Sequence, residues 1–344
     1  MNPAQLILLA SLILLSGCSA AVSEYISSQR SFGHEGLTTS SELENQGFSK
    51  ATYCSDLYQV CMSYLTAEPL VDKKSLNYQV SLSGTGADDK IALDLKRNTI
   101  EAYRGEVVLI HGFRASKEFM VNSALYFRFL GFKVLVPDLL GHGESGGRLS
   151  FGIRDGEVLN ELLNSHHATT HPLFIVGNSM GSITAVELAR KRDDISGLIL
   201  QAPMIVFDEA AANYANAYSP FLSLLLSDKS IRRGATQALQ AAEVSLDQTD
   251  IRPAVSQSRI PVLILASSED PVAPFSHFEN LSNPSLSVHD IRGRSHPGMA
   301  VIGQQDNEDI QRWLKSTNGH AIHATKADNA DDLNTMHSGQ WHTQ

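Results

Sequence analysis

The stretch Leu173-Phe174-Ile175-Val176-Gly177-Asn178-Ser179-Met180-Gly181-Ser182-Ile183-Thr184-Ala185-Val186-Glu187-Leu188-Ala189-Arg190-Lys191 decides how the chain folds. Its first four residues form a short apolar run of strand type, and Ser182 to Lys191 carries the apolar spacing of an amphipathic helix. Between them Gly177-Asn178-Ser179-Met180-Gly181 fits the pattern G-x-S-x-G. A strand, a sharp turn and a helix around that pattern hold the serine at a strained position clear of a sheet, with its hydroxyl exposed. The flanking glycines are required because side chains there would collide with the neighbouring strand and helix. Ser179 is therefore a candidate nucleophile above a helix N-terminus.

Similar runs recur on both sides of this stretch: NYQVSLS (77–83), KIALDL (90–95), EVVLIHG (106–112), FKVLVPD (132–138), GLILQAP (197–203), PVLILAS (261–267) and LSVHDI (286–291). Their Val and Ile content and short length predict strands. Helical patterns lie between several of them, over Ser116 to Leu130 closed by Gly131, Arg154 to Asn164, and Ser182 to Lys191. Strands alternating with helices imply parallel βαβ units. The first two runs are joined by the turn-rich Gly84 to Asp89 and suit an antiparallel pair, so a mostly parallel sheet with an antiparallel start is expected. The long interval between the strands ending near Pro203 and starting at Pro261 is Ala- and Leu-rich and has no strand pattern, which predicts a helical cap over 206–254, inserted after the sixth strand.

Composition narrows the function. The chain has 344 residues, with 27 Lys plus Arg against 37 Asp plus Glu and a net charge of −10. No basic cluster suits a polyphosphate backbone, which argues against a nucleic-acid partner. With 42% hydrophobic residues the chain can build a substantial core, and its 3 Cys, with no CxxC pair, suggest neither a disulfide scaffold nor a thiolate metal site. The polar tail over 317–344 carries His320, His323, His337 and His342 at irregular spacing and is expected to be disordered rather than a metal site.

The N-terminus bears on the compartment. Residues 5–15, QLILLASLILL, are too short to span a bilayer and long enough for the core of a secretory signal. The run ends in Leu15-Ser16-Gly17-Cys18, which resembles a bacterial lipobox, although Met1 to Gln5 contains no Lys or Arg. That resemblance implies a signal peptide over 1–17, a lipid anchor on Cys18 and, with Ser19 following, an outer-membrane location facing the periplasm. Export would place Cys54 and Cys61 in an oxidising space where they can pair. Seven residues apart on a helix they would stand about 10.5 Å from each other, beyond disulfide reach, so pairing requires a loop or hairpin. The rest of 18–74 is expected to be a tether and an irregular lead-in.

The elbow, together with VVLIHGF, VPDLLGHGES, ASSEDPVAP and GRSHPG, resembles the α/β-hydrolase fold superfamily and, within it, the monoacylglycerol lipase and S33 serine aminopeptidase-like branch. The resemblance covers about residues 105 to 300 and implies a hydrolase core over 75–205 and 255–316. It also implies the chain order nucleophile, acid, histidine, met here by Ser179, Asp270 and His296. Asp270 follows the strand PVLILAS and His296 follows LSVHDI, so both belong at the C-terminal edge of a parallel sheet. Glu269 is a rival for the acid, whereas His277 and His289 are less well placed than His296. The family pattern further implies an oxyanion hole from the backbone N–H groups of Met180 and Phe113, and assigns Asp138, His142 and Ser145 to a shaping loop.

What this resemblance implies is a serine hydrolase that cleaves carboxylic esters, of the monoacylglycerol or lysophospholipid kind, through an acyl-enzyme on Ser179 and without a metal or organic cofactor. The expected partners are a small acyl-ester or lipid substrate and, through the N-terminal anchor, the membrane. The same triad serves an acyltransferase or an S33-like peptidase. A peptidase would want acidic groups for the substrate amine, for which Asp208, Glu209 and Glu243 of the cap are available. A non-catalytic envelope lipoprotein is the alternative from another class.

Overall fold

The computed structural model describes residues 18–28, 40–84, 87–166 and 172–317. The lipobox run before Cys18 and the histidine-bearing tail lie outside them. In chain order the elements are α1 (18–28), α2 (Ser40–Asn45), β1 (Ser49–Ser55), β2 (Val60–Ala67), β3 (Ser75–Gly84), β4 (Ala87–Lys96), β5 (Glu106–Ile110), α3 (Val121–Leu130), β6 (Lys133–Pro137), α4 (Ile153–His166), β7 (Leu173–Asn178), α5 (Gly181–Lys191) and β8 (Ile195–Gln201). There follow α6 (Phe207–Tyr218), α7 (Pro220–Leu225), α8 (Asp228–Ala241), α9 (Arg252–Ser256), β9 (Val262–Ala266), β10 (Leu286–Asp290) and α10 (Gln304–Thr317).

Eight strands form one sheet in the order β1-β2-β6-β5-β7-β8-β9-β10. β6 to β10 and β5 pair in parallel, and β2 runs antiparallel to β6 and to β1. The central strands are apolar on both faces because helices cover both. Along β5, Val108 and Ile110 pack into the core on one side of the sheet, while Val107 and Leu109 pack into the core on the other. β7 divides in the same way, with Leu173 and Ile175 opposite Phe174 and Val176. Gly131, at φ +112°, closes α3 in the left-handed conformation that glycine adopts without strain.

The antiparallel start of the sheet comes from a different part of the chain than the sequence pattern suggests. The runs at 77–83 and 90–95 form β3 and β4, which pair only with each other, in a separate two-stranded sheet. A period-two pattern specifies a half-buried strand without saying which sheet it joins. Here Leu93 and Leu95 bury against the core on the α3 side instead of extending the main sheet. The antiparallel start is instead β1 and β2, within the stretch expected to be irregular. β1 is an edge strand of Ser, Lys, Thr and Tyr with most side chains exposed or half-buried, so it lacks an apolar signature. Cys54 and Cys61 face each other across this hairpin, with Cα atoms 4.0 Å apart and their sulfurs bonded.

Four helices, α6 to α9, fill the interval between β8 and β9 and form the cap. With β1 and β2 counted, the cap follows the eighth strand in the chain, which is the sixth of the runs read from sequence.

Candidate active site

Ser179 stands between β7 and α5 with φ +50°, a left-handed conformation that costs a non-glycine residue energy. Its backbone is fixed by hydrogen bonds from its own N–H to Gln201 O at 2.9 Å and from Met204 N–H to its carbonyl at 3.1 Å. Two glycines make the turn possible. A Cβ on Gly177 would lie 2.7 Å from Gly181 O, and one on Gly181 would lie 2.3 Å from Ile110 O, so the elbow packs backbone against backbone.

His296 and Asp270 meet this serine. His296 Nε2 lies 2.9 Å from Ser179 Oγ, and its Nδ1 lies 2.7 Å from Asp270 Oδ2. Asp270 is buried, and its Oδ1 accepts from the N–H groups of Val272 at 2.7 Å and Ala273 at 3.1 Å. Those bonds fix the carboxylate direction, so Oδ2 accepts the Nδ1–H and leaves Nε2 free to accept the serine proton. Glu269 is exposed and takes a hydrogen bond from Ser267 Oγ at 3.2 Å. His289 instead pairs with Asp309, and His277 lies 3.7 Å from Glu209.

The loop carrying His296 is pinned on both sides of the ring. Ser295 N–H donates to Asp89 of β4 at 3.2 and 3.1 Å, and its hydroxyl donates to the same carboxylate. Arg294 donates to Asp306 at 2.7 Å and to the carbonyls of Gly298 and Val301. Tyr218 of α6 places its hydroxyl beside Ser295 and the His296 backbone, and burial pushes its pKa up to about 12. Thus the separate β3–β4 sheet and the cap both reach the histidine loop.

Met180 begins the turn into α5, and Gly112 presses against the nucleophile, since a Cβ there would lie 3.0 Å from Ser179 Cβ. Phe113, the next residue, is thereby held at the serine. His111 anchors this loop: its Nε2 accepts from Leu139 N–H at 3.0 Å, which leaves Nδ1–H to donate to Gly112 O at 2.8 Å. Burial depresses the His111 pKa to about 3, so the ring stays neutral and keeps this donor and acceptor pattern at ordinary pH.

Asp138, His142 and Ser145 do not assemble into a second triad. Asp138 receives the buried Lys117 ammonium at 2.6 Å, Ser145 Oγ donates to Asp138 O at 2.7 Å, and His142 Nδ1 meets Leu140 O at 3.0 Å. This loop ties the ends of β5 and β6 together.

A cavity of about 720 Å³ opens onto Ser179 and His296. Its walls are apolar and come from the elbow side, from Phe113, from the cap, and from α1. Arg114 is the charged residue of the lining, and among the described residues no carboxylate lines it. The cap acids point elsewhere: Asp208 lies 3.9 Å from Arg232, and Glu243 lies 3.8 Å from Arg154. The contribution of α1 is the part of the site that sequence reading misses. Its signal, the apolar pair Val22 and Ile26 four residues apart, is too short to stand out from a tether.

This sheet order, elbow and cap define an α/β-hydrolase fold. The sequence model of the serine aminopeptidase S33 family matches residues 101–238. The uncharacterized protein YqkD of Bacillus subtilis strain 168 is 28% identical over 188 residues, which are 51% of this chain and 58% of that protein, so the chain matches little more than half of its length. Among solved structures, the esterase PF2001 of Pyrococcus furiosus is similar with TM-score 0.56 and 15% identity, covering 84% of this chain and 97% of that one. A bacterial membrane phospholipase A, described as a virulence factor, is similar with TM-score 0.54 and 16% identity over 93% of this chain and 100% of the other. A bromoperoxidase of Bacillus anthracis reaches TM-score 0.50 at 18% identity, with 78% of this chain and 100% of that chain covered. Neighbours of such different names show that the fold is shared and that the chemistry must be argued from the site.

Proposed function

We propose that the protein is a serine hydrolase of carboxylic esters, acting on lipids with a single acyl chain such as monoacylglycerols or lysophospholipids. The observation that carries this reading is the apolar cavity ending on a serine hydrogen-bonded to a histidine that is itself bonded to a buried aspartate. Ser179 Oγ attacks the ester carbonyl as its proton passes to His296 Nε2, and the oxyanion forms against the N–H groups of Met180 and Phe113. Collapse of the tetrahedral intermediate expels the alcohol, which takes the proton from His296. Water then attacks the acyl-enzyme by the same route, its proton going to His296 and on to Ser179 as the fatty acid leaves. Asp270 holds the imidazole in the required tautomer throughout.

The S33 match raises an aminopeptidase as a second reading. Such an enzyme must hold a substrate ammonium, and the cavity offers it Arg114 rather than a carboxylate. An ester with an apolar acyl chain suits the same walls without a counter-charge. Assay of p-nitrophenyl esters against aminoacyl-p-nitroanilides separates the two: kcat/KM for esters is expected to exceed that for the amides by about 10²-fold or more. A preference for the aminoacyl amides would reverse the assignment.

The reading includes an envelope location with a lipid anchor on Cys18. Support comes from the lipobox-like sequence and from α7, which exposes Phe221, Leu224 and Leu225 close to the cavity walls at Ser219 and Leu226. Cys18→Ser is expected to abolish lipid incorporation and to move the protein into the soluble fraction. A mature N-terminus elsewhere than Cys18, found by mass spectrometry, would refute the anchor.

A further inference from the structure

The helix immediately after the proposed anchor residue is built into the cavity. Cys18, Ala21, Val22, Tyr25 and Ile26 all line it, and together they form one continuous face of α1 at helical spacing. Ile26 is buried in the main core, and Val22 packs against it.

Two features of the rest of the molecule receive this helix. The first is Gly234, in the middle of α8. A Cβ there would lie 2.5 Å from Val22 Cβ and 2.7 Å from Ser19 O, so α1 crosses α8 at the one position without a side chain. Glycine in a helix interior is less stable than alanine, and the crossing gives that residue a packing reason to be there. The second is Arg114, next to Phe113. Its Nη2 donates to Tyr25 O at 2.6 Å, and its guanidinium lies 4.3 Å from the Tyr25 ring centroid. A cation at the last turn of a helix is favoured by the exposed carbonyls there. The helix is thus tied to the loop that carries the proposed oxyanion donor.

We propose that α1 is the specificity wall of the acyl cavity: its Cys18–Ile26 face packs along the acyl chain and sets the preference for long chains. This rests on the ester-hydrolase reading for its substrate class. An acyl carbonyl at Ser179 sends its chain into the cavity, whose walls include α1 and the cap. Each methylene that contacts this wall favours the long ester about fourfold. Because Cys18 itself lines the cavity, an anchor there would bring the cavity and the lipid bilayer together.

The test uses the full-length protein with p-nitrophenyl acetate, octanoate and dodecanoate, in wild type, Gly234→Val and Ala21→Trp. Val at 234 displaces α1 from its crossing, and Trp at 21 fills the cavity from α1 itself. In both variants the ratio of kcat/KM for dodecanoate to that for acetate is expected to fall about tenfold or more. Binding of dansyl-undecanoic acid, followed by fluorescence in the same proteins, is expected to weaken about tenfold and does not depend on turnover. Unchanged ester ratios and unchanged binding in Ala21→Trp, with thermal unfolding showing a folded protein, would overturn the inference. Wild type that binds the fatty acid but hydrolyses none of the esters would instead count against the hydrolase reading and leave the wall to be judged by binding alone.

Discussion

Ser179→Ala is expected to lose ester turnover by about 10⁴-fold or more and to lose covalent labelling by a fluorophosphonate altogether. The substitution removes one oxygen, whose hydrogen bond goes to His296 Nε2 at 2.9 Å. The elbow is held by backbone bonds to Gln201 and Met204 that alanine keeps, so the fold should persist with thermal stability close to wild type. What is lost is the oxygen placed to form the proposed acyl-enzyme. His296→Ala should cost a similar factor, because without a base at Nε2 the hydroxyl keeps its proton. The double variant should be little worse than either single one, since the two groups act as a unit. Retained turnover in folded Ser179→Ala would remove the serine mechanism.

The parts of this molecule that are legible in its sequence are those set by local backbone demands. The elbow is one, because Gly177 and Gly181 are needed where backbone meets backbone within a few residues of Ser179. The buried parallel strands are another, since being apolar on both faces makes β5, β7, β8 and β9 continuous hydrophobic runs. Less legible are the elements whose place is settled by distant partners. The β1–β2 hairpin sits at the sheet edge with polar side chains outward, and β3–β4 shows the same alternation wherever it packs. Helix α1 is hardest to read, because its docking depends on Gly234, more than two hundred residues away, whose missing side chain looks in sequence like a weak point of α8. Asp89 belongs to the same class: nothing near it in the chain reveals that it grips Ser295 beside His296.

Asp270→Asn is expected to lower kcat by about 10⁴-fold, whereas Glu269→Gln should change it little. The two carboxylates are adjacent in sequence, yet Asp270 is buried with Oδ2 2.7 Å from His296 Nδ1, and Glu269 is exposed beside Ser267. An aspartate at 270 accepts from three N–H groups: those of His296, Val272 and Ala273. An asparagine can satisfy only part of that set. If its oxygen faces the histidine, its NH₂ confronts the Val272 and Ala273 donors, leaving buried donors unpaired at about 1–3 kcal/mol. If it turns over, the NH₂ faces Nδ1 and stabilises the tautomer with the proton on Nε2, which cannot accept from Ser179. The second arrangement keeps more hydrogen bonds and is the one that stops catalysis. The defect should therefore fall on kcat more than on KM, because the apolar cavity is untouched, and fluorophosphonate labelling should slow in parallel. Measured in folded proteins of comparable thermal stability, a larger loss in Glu269→Gln than in Asp270→Asn would move the orienting role to Glu269 and contradict the geometry at His296.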